Sequence, residues 1–487
     1  MSPQDLTPEF KVAVRVGAEL FYRSAQVKKY LDRLGPGESN QHRLLVKSFQ
    51  LALEDVETAS ISSFEALADI TPEDPSWNQA IETLHDNLRI FSRSFIDIHE
   101  LLALLPRESI RPEVLFALEG CFPEFFEHQP PVVLGSIVNA FEFDFIDILK
   151  DRLPDIGAIF PEDKRIYVLQ LAICDADSPH ACAILCHELG HAMDVRHKIS
   201  VWAVEEFMSR FGVDESLRPI LLYWCRELCA DLIASRVAGP VPILTILSIE
   251  YCIYPQYSIG MHSETHPSTL ARLQVIEQDM DCSDDLSGFR AEIEFYKNAR
   301  RLNLERICTD PNIRKETENN HRVLTELLIK QMATLVCERL SSLDLPDLKV
   351  PCRRFDQASL DRCVERLRRG TPVSSQGESP ESLEEKVKQY RKRVFKSQEE
   401  RIEAFKNLCD EFAEKPLEVA KILLSGYNYK LEVMNSLYEA ERPLGNKESV
   451  TSFCDSLATL DLLIGSSIVT TRVHKEMLRR LEKDQST

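Results

Sequence analysis

The sequence predicts a mainly α-helical protein that also contains a small β-sheet, which places it in the α+β class. Apolar residues recur at three- and four-residue spacing up to about residue 105 and again after residue 285, and this is the period of amphipathic helices. Between these stretches, the β-branched and apolar run at 165–173 has the length of a strand. With 487 residues the chain exceeds one ordinary core, since a domain takes about 150 residues.

The helical and mixed stretches divide the chain into five segments. Turn signals at 35–37 and 71–75 separate the helices of the first segment, and prolines become frequent after residue 106. The stretch rich in Gly, Ser and Pro at 370–380 is the one clear flexible linker. The expected segments are an N-terminal helical domain at 1–105, a central domain at 106–285, a helical extension at 286–369, the linker at 370–380 and a C-terminal helical domain at 381–487.

The composition excludes several classes of function. The net charge of −20 argues against broad contact with nucleic-acid phosphates or anionic membrane surfaces, because both require a basic face. The apolar run Val241–Tyr254 is interrupted by Glu250 and is shorter than the roughly 20 residues that cross a bilayer. Residues 1–5 lack the basic and apolar segments of a signal peptide. We therefore expect a cytoplasmic protein with no membrane span and no nucleic-acid partner.

The residues with the clearest chemical role form the motif His-Glu-Leu-Gly-His at 187–191. Residues four apart lie on the same face of a helix, so His187 and His191 can aim their ring nitrogens at one Zn²⁺ ion. Glu188 can accept a proton from water in the open coordination position and act as the general base. The alternative is a solvated helix face with two histidines. The preceding strand and Gly190, which permits close backbone packing, favour a metal site.

A catalytic zinc needs a third protein ligand, and Glu227 is the strongest candidate. Glu227 and Asp231 share one face of an otherwise apolar helix, where two carboxylates are costly unless a cation is present. Glu227 as a ligand, with Asp231 as the acceptor that fixes a histidine tautomer, would account for both residues. Ion pairs with Arg226 or Arg236 are the alternative explanation.

His197 is the rival third ligand, because its spacing from the motif matches the long metzincin motif. That motif requires a glycine at the position of Asp194, where the chain turns sharply with a positive φ angle. Aspartate adopts such a conformation less readily, so Glu227 is preferred. Glu205 and Glu206 are further alternatives.

A third element lies at 265–272, where Pro267 indicates the first turn of a helix. His266 is then placed at the junction of loop and helix, where its ring could donate a hydrogen bond to the oxyanion that forms during hydrolysis. Arg272 could pair with Asp231 or with another carboxylate of the site. The alternative role for His266 is that of a helix-capping residue at the surface.

In this order the three elements resemble the gluzincin zinc metallopeptidases, and within them the CaaX-prenyl-protease and heat-shock membrane-peptidase family. In that family an HExxH helix is followed by Glu-x-x-x-Asp and then by His-Pro, four residues and Arg. The resemblance covers about residues 165–280. It implies a zincin-like catalytic domain with His187, His191 and Glu227 as ligands, Glu188 as base, and Asp231, His266 and Arg272 in support.

The chain departs from that family because its sequence lacks transmembrane helices and carries helical domains on both sides of the resemblance. The family's membrane-linked substrates therefore do not carry over. The sequence also lacks the Gly-x-Met-Glu-Asn segment with which gluzincin aminopeptidases hold a free amino terminus, so an endopeptidase is expected.

The expected function is that of a zinc-dependent peptidase that acts on a protein or peptide substrate. The strand at 165–173 could pair with an extended substrate backbone. Two other functions stay open, a helical scaffold or sensor with a vestigial or regulatory metal site, and a zinc hydrolase that acts on something other than a peptide. The helical domains could bind a protein partner.

Overall fold

The computed structural model describes most of the chain. The described residues are 7–34, 40–102, 112–122, 132–136, 145–147, 167–171, 178–179, 181–253, 262–279, 289–343, 345, 348, 357–373, isolated positions between 389 and 404, 418–440 and 443–486.

Four helices form the N-terminal part of the described chain. They are α1 (Pro8–Leu34), α2 (Asn40–Ala68), α3 (Trp77–Leu102) and α4 (Pro112–Cys121). Helix α2 packs against α3, and α1 packs against both. Edge-to-face aromatic contacts join them, because the ring of Phe10 lies 6.2 Å from that of Phe64 and 5.9 Å from that of Trp77.

Five helices form the centre of the molecule. They are α5 (Ala181–His197), α6 (Ile199–Phe211), α7 (Arg218–Ala238), α8 (Val241–Ile253) and α9 (Thr269–Asp279). Helix α7 is the central element, since 15 of its 21 residues are buried. It packs against the four other helices of this group. A buried helix of this kind can hold polar side chains only where they find partners, and this is where the acidic pair of α7 lies.

The remaining helices surround this centre. They are α10 (Arg290–Ile307), α11 (Pro311–Leu324), a π-helical turn at Thr325–Ile329, α12 (Lys330–Ser342), α13 (Gln357–Arg368), α14 (Val419–Ser436) and α15 (Lys447–Ser486). Helices α12 and α14 both pack against α7, and α15 packs against α1, α4 and α14.

Two hydrophobic clusters join these helices. The smaller one includes residues of α8, α9, α10 and α14. The larger one extends from Phe10 in α1 to Ile468 in α15, and it includes residues of α5, α7 and α12. Gly17 and Gly120 mark close approaches within it, because a Cβ atom at either position would lie within 3.0 Å of a side chain from another helix. The segment boundaries expected from the sequence stay a prediction, and the linker beyond residue 373 lies outside the described residues.

The expected α+β class is wrong, since the architecture is all-α. Backbone pairing among the described residues is confined to β1 (Val132–Ser136), β2 (Phe145–Asp147) and β3 (Tyr167–Leu171), of five, three and five residues. Segment β3 lies between β1, which is parallel to it, and β2, which is antiparallel. These segments are too short to form a layer of the fold, and the described core is built by helices packing on helices. Segments β2 and β3 contact α5, which otherwise packs against helices α4, α6, α7 and α8.

Among the described residues, one helix is long and apolar enough to span a membrane. The most apolar 18 residues within Lys447–Val473 of α15 have a mean hydropathy of 1.4, and 50% of these residues are buried within the protein. The run expected to be the best candidate lies in α8 and is shorter. A single half-buried helix is weak evidence for a span, and the absence of a membrane span stays a prediction.

Candidate metal centre

The two histidines of the motif lie on one face of α5. Their ring centroids are 4.7 Å apart with the rings nearly perpendicular, at 83°. One ligand atom from each of His187, Glu188 and His191 can be chosen so that all three lie within 4.8 Å of one another. Among the described residues, this is the one group of three or more such side chains with that spacing. His187 and Glu188 are buried, whereas the side chain of His191 is 22% exposed.

The acidic pair of α7 faces these histidines because α5 and α7 approach closely. A Cβ atom added to Gly190 would lie 2.8 Å from both the Cα and the carbonyl oxygen of Ala230, which is closer than real contacts allow. Glycine therefore permits a backbone approach at this point that any side chain would prevent. Ala230 precedes Asp231 and follows Glu227 by three residues, so the approach brings both carboxylates to the histidines.

The distances between the predicted ligands fit a zinc ion. The Nε2 atom of His187 lies 3.5 Å from Oε2 of Glu227, and Nε2 of His191 lies 3.4 Å from Oε1. Hydrogen bonds between nitrogen and oxygen are shorter, at about 2.7–3.2 Å. Two ligands of a tetrahedral zinc with bonds of about 2.0–2.1 Å lie about 3.3–3.4 Å apart. Each histidine nitrogen thus lies at a ligand-to-ligand distance from one oxygen of Glu227, His187 from Oε2 and His191 from Oε1.

Asp231 and Arg272 lie behind the predicted ligands. Oδ1 of Asp231 is 2.9 Å from Nδ1 of His187. Arg272 donates to both carboxylate oxygens of Asp231, at 2.5 and 2.7 Å, and its Nη2 lies 3.3 Å from Oε2 of Glu227. Such a fork holds the two carboxylates in fixed positions. Because Asp231 lies at Nδ1 of His187, the other ring nitrogen, Nε2, is the one that faces the centre.

His266 lies at the exposed side of the centre. Its side chain is 57% exposed, and its Nε2 atom lies 3.5 Å from Oε1 of Glu227. It stands on the loop before α9, as the sequence predicts, while Arg272 is on α9 itself. The ring is therefore placed where a substrate carbonyl could approach from solvent.

The charges of the centre suit a cation. Burial opposes the protonation of His187, but Asp231 and Glu227 outweigh it and raise the pKa of His187 to about 10. Burial and the charge of His187 lower the pKa of His191 to about 4. Burial also opposes the ionisation of Glu227, yet Arg272 and His187 hold its pKa well below the usual range. Two ionised carboxylates thus stabilise positive charge at this point, whether a proton or a metal ion carries it.

The rival ligands do not approach the centre. Helix α5 continues without a turn to His197, ten residues and therefore about 80° around the helix from His187. Asp194 lies within α5 and does not make the turn of the long metzincin motif. Its carboxylate instead accepts hydrogen bonds from the backbone N–H and the hydroxyl of Ser200 at the start of α6. Glu205 and Glu206 pair with arginines at the surface instead.

The sequence did not identify Glu250 as part of this region. Thr269 donates a hydrogen bond to its carboxylate, and Arg272 lies near enough to affect its titration. Burial nevertheless raises the pKa of Glu250 to about 7. The sequence did contain an indication of this role, because a glutamate within the apolar run of α8 has the same desolvation cost that identified Glu227.

Comparison with protein-family models, with curated proteins and with solved structures finds no match to this chain. The resemblance to gluzincins therefore rests on the motifs alone, and the case for a metal centre rests on the geometry of the residues described above.

Proposed function

We propose that the protein is a zinc-dependent peptidase of gluzincin type, with His187, His191 and Glu227 as the metal ligands. One observation carries this proposal. Two imidazole nitrogens lie 3.5 and 3.4 Å from the two oxygens of one buried carboxylate, which is the distance expected between neighbouring ligands of one zinc ion. Zn²⁺ is the preferred ion, because two histidines and one carboxylate are a donor set typical of catalytic zinc.

The roles of the side chains follow from their positions. Zinc, when bound, supplies a Lewis acid that lowers the pKa of water and polarises a carbonyl group. The carboxylate of Glu188 accepts the proton of the attacking water and can pass it to the leaving amine. The ring of His266 can donate an N–H to the carbonyl oxygen as negative charge develops on it. Asp231 and Arg272 hold His187 and Glu227 in place.

The substrate class is a proposal of the same kind. A protein or peptide substrate suits the exposed side of the centre, where His266 and His191 face solvent. Internal cleavage is preferred, since the sequence lacks the segment with which gluzincin aminopeptidases bind a free amino terminus. A cytoplasmic location and a protein partner on the outer helices stay predictions.

The first experiment replaces Glu188 with glutamine and measures zinc content together with peptide hydrolysis. We expect about one zinc per chain in both proteins, because Glu188 is not a ligand. Hydrolysis should fall by about 10²–10⁴-fold in Glu188→Gln, since the amide keeps the shape of the side chain but cannot accept a proton. Glu205→Gln is the matched control, because Glu205 is exposed at 60% and pairs with Arg218 at the surface.

The outcomes separate the competing functions. A wild-type protein that binds no zinc would contradict the proposal and favour a scaffold in which protons and ion pairs hold the cluster together. Zinc binding with cleavage of esters, but of no peptide, would favour a hydrolase of another class. Peptide cleavage by Glu188→Gln at the wild-type rate would show that a different base operates.

A further inference from the structure

The loop that carries His266 has an internal hydrogen-bond network of its own. The backbone N–H of His266 donates to the hydroxyl of Ser263 at 2.8 Å, and the backbone N–H of Ser263 donates to the carbonyl of His266 at 2.9 Å. The hydroxyl of Thr265 lies 2.8 Å from Nδ1 of the His266 ring. These bonds set the ring relative to its own loop, with Nε2 left to face Glu227. They do not fix the loop relative to the rest of the protein.

Two helices hold this loop from outside. From α7, the indole N–H of Trp224 donates to the carbonyl of Ser263 at 2.8 Å. From α11, Nε2 of His321 lies 2.6 Å from the hydroxyl of Ser268. The ring of His321 also stacks on that of His262, with centroids 4.7 Å apart and an interplanar angle of 10°. One side chain of α11 therefore holds both ends of the described part of the loop, 262–268, through His262 and through Ser268.

The hydrogen bonds of this cluster are consistent with a single tautomer of His262. The backbone N–H of Ser268 donates to Nδ1 of His262 at 3.1 Å, so that nitrogen is unprotonated and the proton lies on Nε2. Nε2 of His262 then faces the carbonyl of His321 at 3.5 Å. That carbonyl also accepts from Thr325, the first residue of the π-helical turn, at 2.8 Å. Single π-helical turns are frequent next to functional sites, where they change the direction of side chains.

We propose that His321 is a positioning residue, which through Ser268 and His262 holds the loop so that His266 faces the metal centre. The catalytic consequence of this arrangement rests on the proposed function, whereas the control of the loop by α11 does not. His321 lies 55 residues beyond His266 in the sequence, in the helical extension and outside the stretch that resembles gluzincins. The extension would thus complete the catalytic apparatus and not merely cover it.

Other roles for this cluster are less consistent with its contacts. Ser268 is buried, and its hydroxyl also accepts a hydrogen bond from the backbone of Ala271 at 3.2 Å, so it is not presented as a nucleophile. The two histidines do not form a second metal site. Their rings are parallel, and Nδ1 of His262 and Nε2 of His321 are each taken by a hydrogen bond to Ser268.

The test compares His321→Ala with Asn320→Ala, its exposed neighbour on α11. Both full-length proteins are loaded with zinc, and hydrogen exchange of residues 262–268 is measured together with zinc content. We expect exchange in the loop to accelerate by about tenfold or more in His321→Ala, with zinc content unchanged, and Asn320→Ala to match the wild type. His321→Gln should restore slow exchange in part, because its amide can replace the bond to Ser268. Wild-type exchange in His321→Ala would overturn the proposal.

Hydrolysis then tests the connection to His266. In His321→Ala, kcat should fall by about the same factor as in His266→Ala, and the double variant should show no further loss, because both changes remove one interaction. Additive losses would contradict positioning through His266. If His321→Ala does not fold, Ser268→Ala removes the same bond with a smaller change and is measured in its place. Hydrogen exchange and zinc content can both be measured in a protein without activity. A failure of the peptidase proposal can therefore be distinguished from a failure of the positioning role of His321.

Discussion

At the scale of single residues, Glu227 is the side chain on which the centre depends. Its carboxylate lies within 3.5 Å of His187, His191, His266 and Arg272, although the side chain is only 12% exposed. A buried carboxylate of this kind is stable only while positive charge surrounds it. Metal binding and the local fold are therefore connected through one residue.

The first prediction concerns the third ligand. Glu227→Ala should lower zinc affinity by orders of magnitude, because two histidines and water form a much weaker site, whereas His197→Ala should change it little. Asp231→Asn should give an intermediate loss of about 10- to 100-fold, since it alters the orientation of His187 without removing a ligand. Zinc affinity is measured by competition with a chromophoric chelator at constant pH. The opposite ranking, with His197→Ala losing zinc and Glu227→Ala keeping it, would exclude the gluzincin arrangement.

At the scale of helices, the close packing of α5 on α7 sets the geometry of the centre. Gly190 and Ala230 are the two small residues that make this packing possible. The ligands from the two helices are spaced by a backbone contact, so a shift of a few tenths of an ångström between the helices changes both distances to Glu227. Among the described residues of the centre, only His266 comes from a loop.

The second prediction follows from this contact. In Gly190→Ala the new Cβ atom would meet the backbone of Ala230 at 2.8 Å, so α5 and α7 must separate. Overpacking of this kind costs about 1–3 kcal/mol, against a gain of up to about 1 kcal/mol from the helix propensity of alanine. We expect lower stability in urea and weaker zinc binding. Gly465→Ala in α15 is the matched control, because its Cβ atom would meet nothing closer than 3.5 Å. Equal zinc affinity in both variants would contradict a role for the contact.

Helix geometry explains which parts of the site could be predicted from the sequence. His187 with His191, and Glu227 with Asp231, are each four residues apart, and the helical period alone places each pair on one face. The pairing of Arg272 with Asp231 was one of two options left open, and the structure brings these two side chains together. The contact between His262 and His321 was not predicted, because 59 residues separate them and neither has a local pattern that indicates a partner.

The fold class was predicted less well than the helices. A run of β-branched and apolar residues indicates an extended segment, but it does not indicate how many other strands will pair with that segment. The sequence therefore led to an α+β class, whereas the described core is formed by helices alone. The sequence also does not indicate the partners of buried polar residues in α1 and α15, because those partners lie hundreds of residues away.

At the scale of the whole molecule, buried polar contacts join the two ends of the chain to its centre. The hydroxyls of Tyr22 in α1 and of Ser178, just before α5, both donate to Asp461 in α15. Arg15 in α1 forms a buried ion pair with Glu292 in α10. The first and last helices thus fix the start of the helix that carries the two histidines, and they contribute more than surface coverage.

The final prediction tests the ion pair between Glu19 in α1 and Lys430 in α14, whose atoms lie 2.8 Å apart. Burial opposes ionisation of Glu19, but Lys430 and Arg23 outweigh it and lower its pKa from 4.5 to about 2. Because the pKa is lower in the folded protein, Glu19 contributes stability above pH 4.5, and this contribution is lost as the pH falls from about 4.5 to about 2. The shift corresponds to about 3 kcal/mol.

Glu19→Gln should therefore unfold at lower urea concentration at pH 7, and its stability should fall less steeply than that of the wild type between pH 4.5 and 2. The substitution also removes the buried partner of Lys430, which adds to the loss at neutral pH. Asp74→Asn is the control, since Asp74 is exposed and its bonds to Ser76 can be kept by the amide oxygen. Parallel stability curves for Glu19→Gln and the wild type in acid would show that this ion pair does not stabilise the contact between α1 and α14.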